Sequence, residues 1–174
     1  GVRESIADTA RVLGREAVAI VWRTYGQERL DEMAFYANVP VINALTDEFH
    51  PCQILADLMT IREHKGALAG LTFAYVGDGA NNMAHSYLLG GALAGLHVRV
   101  GTPAAYQPNP EYLARAQELA AAQGGSITVL ADPIAAVSGA DAVATDTWVS
   151  MGKEKEAESR KGGQSPFAPY AVTT

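Results

Sequence analysis

The sequence predicts an α/β fold of doubly wound parallel sheets with helices on both faces. Three observations lead there. Helical stripes alternate with short β-rich runs along the chain, and single helices separate consecutive runs, which implies right-handed βαβ crossovers. The 174 residues are 48% hydrophobic and 18% charged, enough apolar matter for a sizeable core without disulfide staples.

The elements follow in order. Val2, Ile6, Ala10 and Leu13 recur at helical spacing. Ala17 to Trp22 is then continuous, apolar and β-branched, as a strand buried on both faces should be. Leu30, Met33, Ala34 and Ala37 form a second stripe, and Val39 to Ile42 reads as a short strand. A helix over residues 51–65 follows, with Ile54, Leu55, Leu58 and Ile61 expected inward. From residue 71 the rhythm is regular. Strand 71–76, helix 81–94, strand 97–100, helix 111–123, strand 127–130, a short helix at 133–137 and strand 142–145 succeed one another. Beyond Thr147 the pattern fails, and the charged, glycine-bearing stretch at 151–165 reads as a mobile surface segment.

Charge and composition narrow the function. A formal charge of −6, from 13 basic and 19 acidic residues, gives no electrostatic reason to expect nucleic acid or an anionic membrane. No apolar run reaches the roughly eighteen residues of a membrane span. The single cysteine, Cys52, excludes an intrachain disulfide and points to a reducing, cytoplasmic setting. The chain opens in helical pattern without an initiator Met, so the absence of a targeting segment carries no weight. No CxxC, HExxH, EF-hand, Walker A or G-x-S-x-G pattern occurs, and neither a metal nor a cofactor is expected.

In open parallel sheets ligands bind beyond the carboxyl ends of the strands, and four places there stand out. Arg23 leaves the first strand and offers a planar fork to a phosphate or carboxylate, although position alone favours an ordinary surface arginine. His50 stands at about the N-cap of the 51–65 helix and Gln53 at about its third residue. Both lie beside unpaired N–H groups that favour an anion or oxyanion, and capping alone explains them equally well. Gly77-Asp78-Gly79-Ala80-Asn81-Asn82 nearly matches the dinucleotide fingerprint G-x-G-x-x-G. Asn82 replaces the third glycine, however, and no acidic residue follows about 20 positions on. The safer reading is a tight turn that Asp78 braces and that brings the Asn82 amide to the crevice. Asp146 ends the last strand, where its carboxylate suits an ammonium, and Gly152 frees the residues after it to close over a ligand, although in isolation an ordinary turn after a strand is the better reading.

Taken together, 39–66 (VPVINALTDEFHPCQILADLMTIREHKG), 76–86 (VGDGANNMAHS) and 146–156 (DTWVSMGKEKE) strongly resemble the ornithine carbamoyltransferases. The opening ESIADTARVLG and the later PFAPYAV extend the resemblance nearly end to end. His-Pro-x-Gln marks the wider carbamoyltransferase family, and Asp-x-x-x-Ser-Met-Gly is what points to ornithine. The resemblance implies parts of two Rossmann-like domains: 1–50 from the carbamoyl-phosphate domain, 51–66 as linker helix, and 67–174 from the ornithine domain. It implies transfer of a carbamoyl group from carbamoyl phosphate to the δ-amine of L-ornithine, giving citrulline and phosphate in arginine biosynthesis, in a homotrimer. Arg23, His50 and Gln53 would bind carbamoyl phosphate and act in catalysis. Asn82, Asp146, Ser150 and Met151 would hold ornithine.

Two family segments do not occur in these 174 residues: a phosphate-binding Ser-x-Arg-Thr-Arg and a His-Cys-Leu-Pro whose cysteine contacts ornithine. Residues 160–165 are also longer and richer in glycine than the family usually shows there. The expectation is therefore an internal piece of such an enzyme, inactive alone. The alternative is a non-catalytic amino-acid-binding or regulatory module of the same fold.

Overall fold

The computed structural model describes residues 4–149, 156–160 and 164–173. They fall into two compact units, 1–52 and 53–174.

The first unit packs α1 (Ile6–Glu16) and α2 (Gln27–Ala37) against a parallel pair, β1 (Ile20–Arg23) and β2 (Val41–Leu45). Ser5 caps α1 by accepting from the Asp8 amide, as an N-cap serine should. Asn38, with φ of 54°, ends α2 in the left-handed conformation that Asn tolerates. Ala10, Ile20, Met33 and Ala37 form the core. The expected strand 17–22 is shorter and lies later, because Ala17 still donates to Leu13 as the C-cap of α1. It is not buried on both faces either. Val21 is 66% exposed because only one face of the β1–β2 pair is covered within this unit, and Val18, 93% exposed, lies in the bend ahead of β1.

Helix α3 (Pro51–Lys65) runs through the boundary, with proline at its first position. Ile54 is buried, and Leu58 and Ile61 pack beside it. Leu55 departs from the expected stripe and is exposed, since the step of about 100° per residue carries it away from the face that Ile54 and Leu58 share.

The second unit is built on β3 (Thr72–Val76), β4 (His97–Gly101), β5 (Ser126–Leu130) and β6 (Ala142–Thr145), parallel throughout and ordered β5-β4-β3-β6. Side chains alternate across the sheet. Phe73 and Tyr75 enter the core shared with α3, α4 (Asn82–Leu93) and α5 (Pro110–Gln123), whereas Val76 faces Ala136 of α6 (Pro133–Val137) and Tyr170. The sheet is thus clothed on both faces, as a doubly wound fold requires. The order reverses at β3, with β4 and β5 on one side and β6 on the other. That reversal is the switch point where open sheets bind ligands.

The C-terminal stretch departs from the expected surface segment at Arg160 and Ser165, whereas Glu156, Glu158, Ser159 and Gln164 are exposed as expected. Arg160, which ends the short α7 (Ala157–Arg160), is 3% exposed, and Ser165 and Phe167 are buried beside it. Charge misleads here because Arg160 has a buried acidic partner, Asp78. Among the described residues no helix is long and apolar enough to cross a membrane.

Candidate functional site

In the first unit the candidate residues leave one edge of the two-stranded sheet. Arg23 ends β1 opposite Leu45 of β2, after a register irregularity between Trp22 and Arg23. The chain beyond β2 then makes a closed turn. Thr46, fully buried, donates its amide to the Phe49 carbonyl at 2.8 Å and its hydroxyl to Gln27 Oε1 at 2.9 Å, while the Phe49 amide donates to Thr46 Oγ1 at 3.1 Å. This turn fixes His50 at the entry to α3. Gln27, in the first turn of α2, also accepts from Asn43 Nδ2 at 3.4 Å. Arg29 Nε donates to the buried Thr24 at 2.9 Å and its guanidinium lies over the Trp22 ring, which braces the residue beside Arg23. Arg23 is thereby an exposed cation at the strand end, and the half-buried His50 follows the adjacent strand. Thr46 and Gln27 carry no pattern that sequence inspection would single out; their role is visible only once the turn closes.

Gln53 lies in the second unit. It is exposed, and its amide donates along the helix to Asp57 Oδ1 at 2.9 Å. Asp57 Oδ2 in turn accepts from Tyr87 at 2.6 Å. Burial and the Asp57 carboxylate push the Tyr87 phenol well above its ordinary range.

The rest of the second unit's candidates stand at the switch point. Beyond β3, Gly77 adopts φ of 140°, Asp78 is buried, and the Ala80 amide donates to Asp78 Oδ1 at 2.9 Å. The Gly79 amide donates to Thr102 Oγ1 at 3.0 Å, and a Cβ on Gly79 would come 2.6 Å from the Tyr106 carbonyl oxygen. The glycine is needed for close packing of this turn on the chain beyond β4. Two amides that a dinucleotide phosphate would use are therefore occupied from within, so the near-fingerprint is a braced turn. The outer oxygen of Asp78 meets Arg160 Nη1 at 2.5 Å, and that guanidinium also donates to Glu156 and to the Trp148 carbonyl. Burial works to lower the Arg160 pKa, but the hydrogen bonds to Asp78 and Glu156 outweigh it and hold the charge more firmly than usual.

Helix α4 is capped by Asn81, whose Oδ1 accepts from the Ala84 amide at 2.8 Å. Its Nδ2 reaches the Tyr75 hydroxyl at 3.1 Å and Asp146 Oδ2 at 3.5 Å. Asn82, 6% exposed, opens the helix next to it. Asp146 follows β6, which pairs with β3 through Val76 and Thr145, so the two chain segments emerge side by side. An open depression of about 270 Å³ is lined by Asp146, Thr147, Trp148 and Val149. Ser150, Met151 and Gly152 lie outside the described residues. Sequence reading placed Asn82 and Asp146 here and passed over Asn81 and Tyr75. The adjacent asparagine could have been found from its position just ahead of the helical run, whereas nothing local marks Tyr75. Its phenol is driven far above its ordinary range by burial and then by the Asp146 charge.

His85, buried, accepts from the Asn109 amide through Nε2 at 3.2 Å, in keeping with a structural role. Among the described residues no group of three His, Cys, Asp or Glu is placed to hold a metal ion.

Four parallel strands with helices on both faces and a reversal of strand order at β3 define the second unit as an open-sheet, doubly wound α/β domain. Comparison with known proteins narrows the class. Residues 1–63 match the carbamoyl-phosphate-binding domain model of aspartate/ornithine carbamoyltransferases, and residues 69–174 match the Asp/Orn-binding domain model. The chain belongs to the aspartate/ornithine carbamoyltransferase family. It is 59% identical over 174 residues to the ornithine carbamoyltransferase of Clavibacter sepedonicus, covering 100% of this chain and 56% of that one. Against the enzyme from Renibacterium salmoninarum the identity is 59% over 172 residues, 99% of this chain and 54% of that one. The solved structure of the Pyrococcus furiosus ornithine carbamoyltransferase superposes with a TM-score of 0.90 at 48% identity, covering 98% of this chain and 53% of that one. The chain thus spans about half the length of the curated relatives it matches.

Proposed function

We propose that this chain carries the substrate-binding core of an ornithine carbamoyltransferase. In this reading residues 1–50 serve carbamoyl phosphate, the 51–66 helix links the two parts, and residues 67–174 serve L-ornithine. The δ-amine attacks the carbonyl carbon of carbamoyl phosphate, the C–O bond to phosphate breaks, and the amine releases a proton, giving citrulline and phosphate. Arg23 and His50 face the carbonyl oxygen as it gains charge, where each preset donor is worth about 3 to 4 kcal/mol, and Gln53 orients the carbamoyl amide. Asn82, Asp146, Ser150 and Met151 hold the α-amino and carboxylate groups of ornithine. Holding both substrates in reacting geometry supplies much of the remaining acceleration.

The observation that carries the choice of ornithine over aspartate is the Asp146 carboxylate at the switch point. L-Ornithine at neutral pH brings two ammonium groups and one carboxylate, and L-aspartate brings the reverse. A fixed carboxylate attracts the first and repels the second. The family resemblance further supports a homotrimer and a place in arginine biosynthesis, and the single cysteine supports a cytoplasmic setting.

Since the sequence lacks the Ser-x-Arg-Thr-Arg phosphate segment, the 174-residue chain alone should bind without turnover. Calorimetric titration with L-ornithine and with L-aspartate, together with a citrulline assay, tests the reading. Binding of L-ornithine in preference to L-aspartate is expected, with no citrulline formed. Preference for L-aspartate would overturn the substrate assignment, and citrulline formation would overturn the claim of inactivity.

A further inference from the structure

We propose that Asn81 is a positioning residue for amino-acid binding, the group that holds the Asp146 carboxylate in place to receive an ammonium; this rests on the role given to Asp146 above. Asn81 is 4% exposed and every polar group of its side chain is engaged. Its oxygen is identified by the Ala84 amide that donates to it at 2.8 Å, which turns Nδ2 the other way. One Nδ2 hydrogen is directed to the Tyr75 hydroxyl at 3.1 Å and the other to Asp146 Oδ2 at 3.5 Å. The Tyr75 proton is itself directed to the Asp78 carbonyl at 3.3 Å, so the phenol meets Asn81 as an acceptor. The amide therefore cannot rotate without losing the helix cap and the phenol together.

This tether matters because of where Asp146 stands. It follows an edge strand that is paired on one side only, to β3, among the described residues. The bond from Asn81 crosses 65 positions of sequence and ties the exit of β6 to the start of α4. At 3.5 Å it is a long contact that acts chiefly as an oriented dipole on a charge, steering one carboxylate oxygen. Among the described residues, Tyr75 of β3 feels the Asp146 charge most, Tyr87 of α4 feels it weakly, and Asp78 lies in the turn beyond Tyr75. Both phenols are neutral at ordinary pH, and the charge of Asp78 is met by Arg160. Replacing the Asn81 donor by an acid would put a like charge directly beside Asp146.

Two substitutions preserve the cap while altering the donor. Asn81→Ser keeps an N-cap oxygen and removes the amide, and Asn81→Asp keeps the cap and introduces a second carboxylate. The protein and these variants, each with and without Asp146→Ala, are titrated with L-ornithine and with carbamoyl phosphate from mildly acidic to mildly alkaline pH. Asn81→Ser should weaken L-ornithine by about two- to tenfold, the range spanned by a hydrogen bond of ordinary net strength, without changing carbamoyl phosphate affinity or melting temperature. In the Asp146→Ala background the same change should have no further effect. Asn81→Asp should move the acid-side fall in L-ornithine affinity to higher pH, because two adjoining carboxylates take up a proton more readily than one. A role in capping alone would produce neither result. The proposal is overturned if Asn81→Ser leaves L-ornithine affinity intact, or weakens it equally with Asp146 absent. Should Asn81→Ser fail to fold, an unmoved pH profile in Asn81→Asp overturns it. If Asp146→Ala itself leaves L-ornithine unaffected, the role of Asp146 falls and takes this proposal with it. That outcome differs from loss in Asp146→Ala without loss in Asn81→Ser, which removes the role of Asn81 alone.

Discussion

Arg160 and Asp78, 82 positions apart, form an ion pair at 2.5 Å in which both side chains are almost fully buried. The pair joins the turn after β3 to the chain beyond β6, and Arg160 is further held over the rings of Tyr106 and Phe167. Breaking a buried pair by removing one partner costs about 3 to 5 kcal/mol. The two removals should not be equal. Asp78→Asn leaves Arg160 its bond to Glu156, which is 46% exposed, whereas Arg160→Met leaves the Asp78 charge buried with the Ala80 amide. Urea unfolding should show the larger loss for Arg160→Met, and a smaller loss for the double variant than for the two summed.

The first unit depends on a close helix crossing. A Cβ on Gly14 of α1 would come within 1.8 Å of the Ala37 carbonyl oxygen of α2. Alanine is the better helix former by roughly 1 kcal/mol, but a backbone clash outweighs that. Gly14→Ala should destabilise this unit by about 1 to 3 kcal/mol. Amide exchange should accelerate in α1 and α2 and stay unchanged in the β3-to-β6 sheet.

The turn that delivers His50 depends on one hydroxyl. Thr46→Val keeps the shape but leaves the Phe49 amide and Gln27 Oε1 without their bonds to Thr46 Oγ1. A loss of about 1 to 3 kcal/mol is expected. Carbamoyl phosphate affinity should fall while L-ornithine affinity holds, as paired titrations would show.

Alkaline pH should unfold the second unit. Tyr75 and Tyr87 are held neutral well above the ordinary phenol value of 10.0, in each case first by burial. The unfolded chain releases these protons above about pH 10 while the folded chain retains them, so stability is intact below that pH and falls as pH rises beyond it. Tyr75→Phe should reduce the slope of stability against pH above 10 by one proton, measured by urea unfolding at several alkaline pH values.

The fold was legible because the β-rich runs and helical stripes of 71–145 are bounded by glycines, prolines and asparagines that act as turns and caps. Asn109-Pro110 and Asp132-Pro133 start their helices as such pairs do. Misreadings arose where burial depends on partners remote in sequence. Val21 looks like a core residue but lies on an uncovered face, and Arg160 looks solvated but meets Asp78 across the unit. Among the candidate residues, Asp146 was legible directly beyond β6 and Asn82 at the start of α4. Asn81, Tyr75 and Thr46 were not, since each acts by holding a neighbour and no residue pattern records that geometry.

The assignment gives Asp146 to the amino acid and the strand ends at Arg23 and His50 to carbamoyl phosphate. Parallel titration of the wild-type protein and Asp146→Ala with both ligands tests it most directly. L-Ornithine affinity should collapse while carbamoyl phosphate affinity stays within about twofold, well under the tenfold that 1.4 kcal/mol represents. An equal loss for both ligands, or none for L-ornithine, would contradict the assignment.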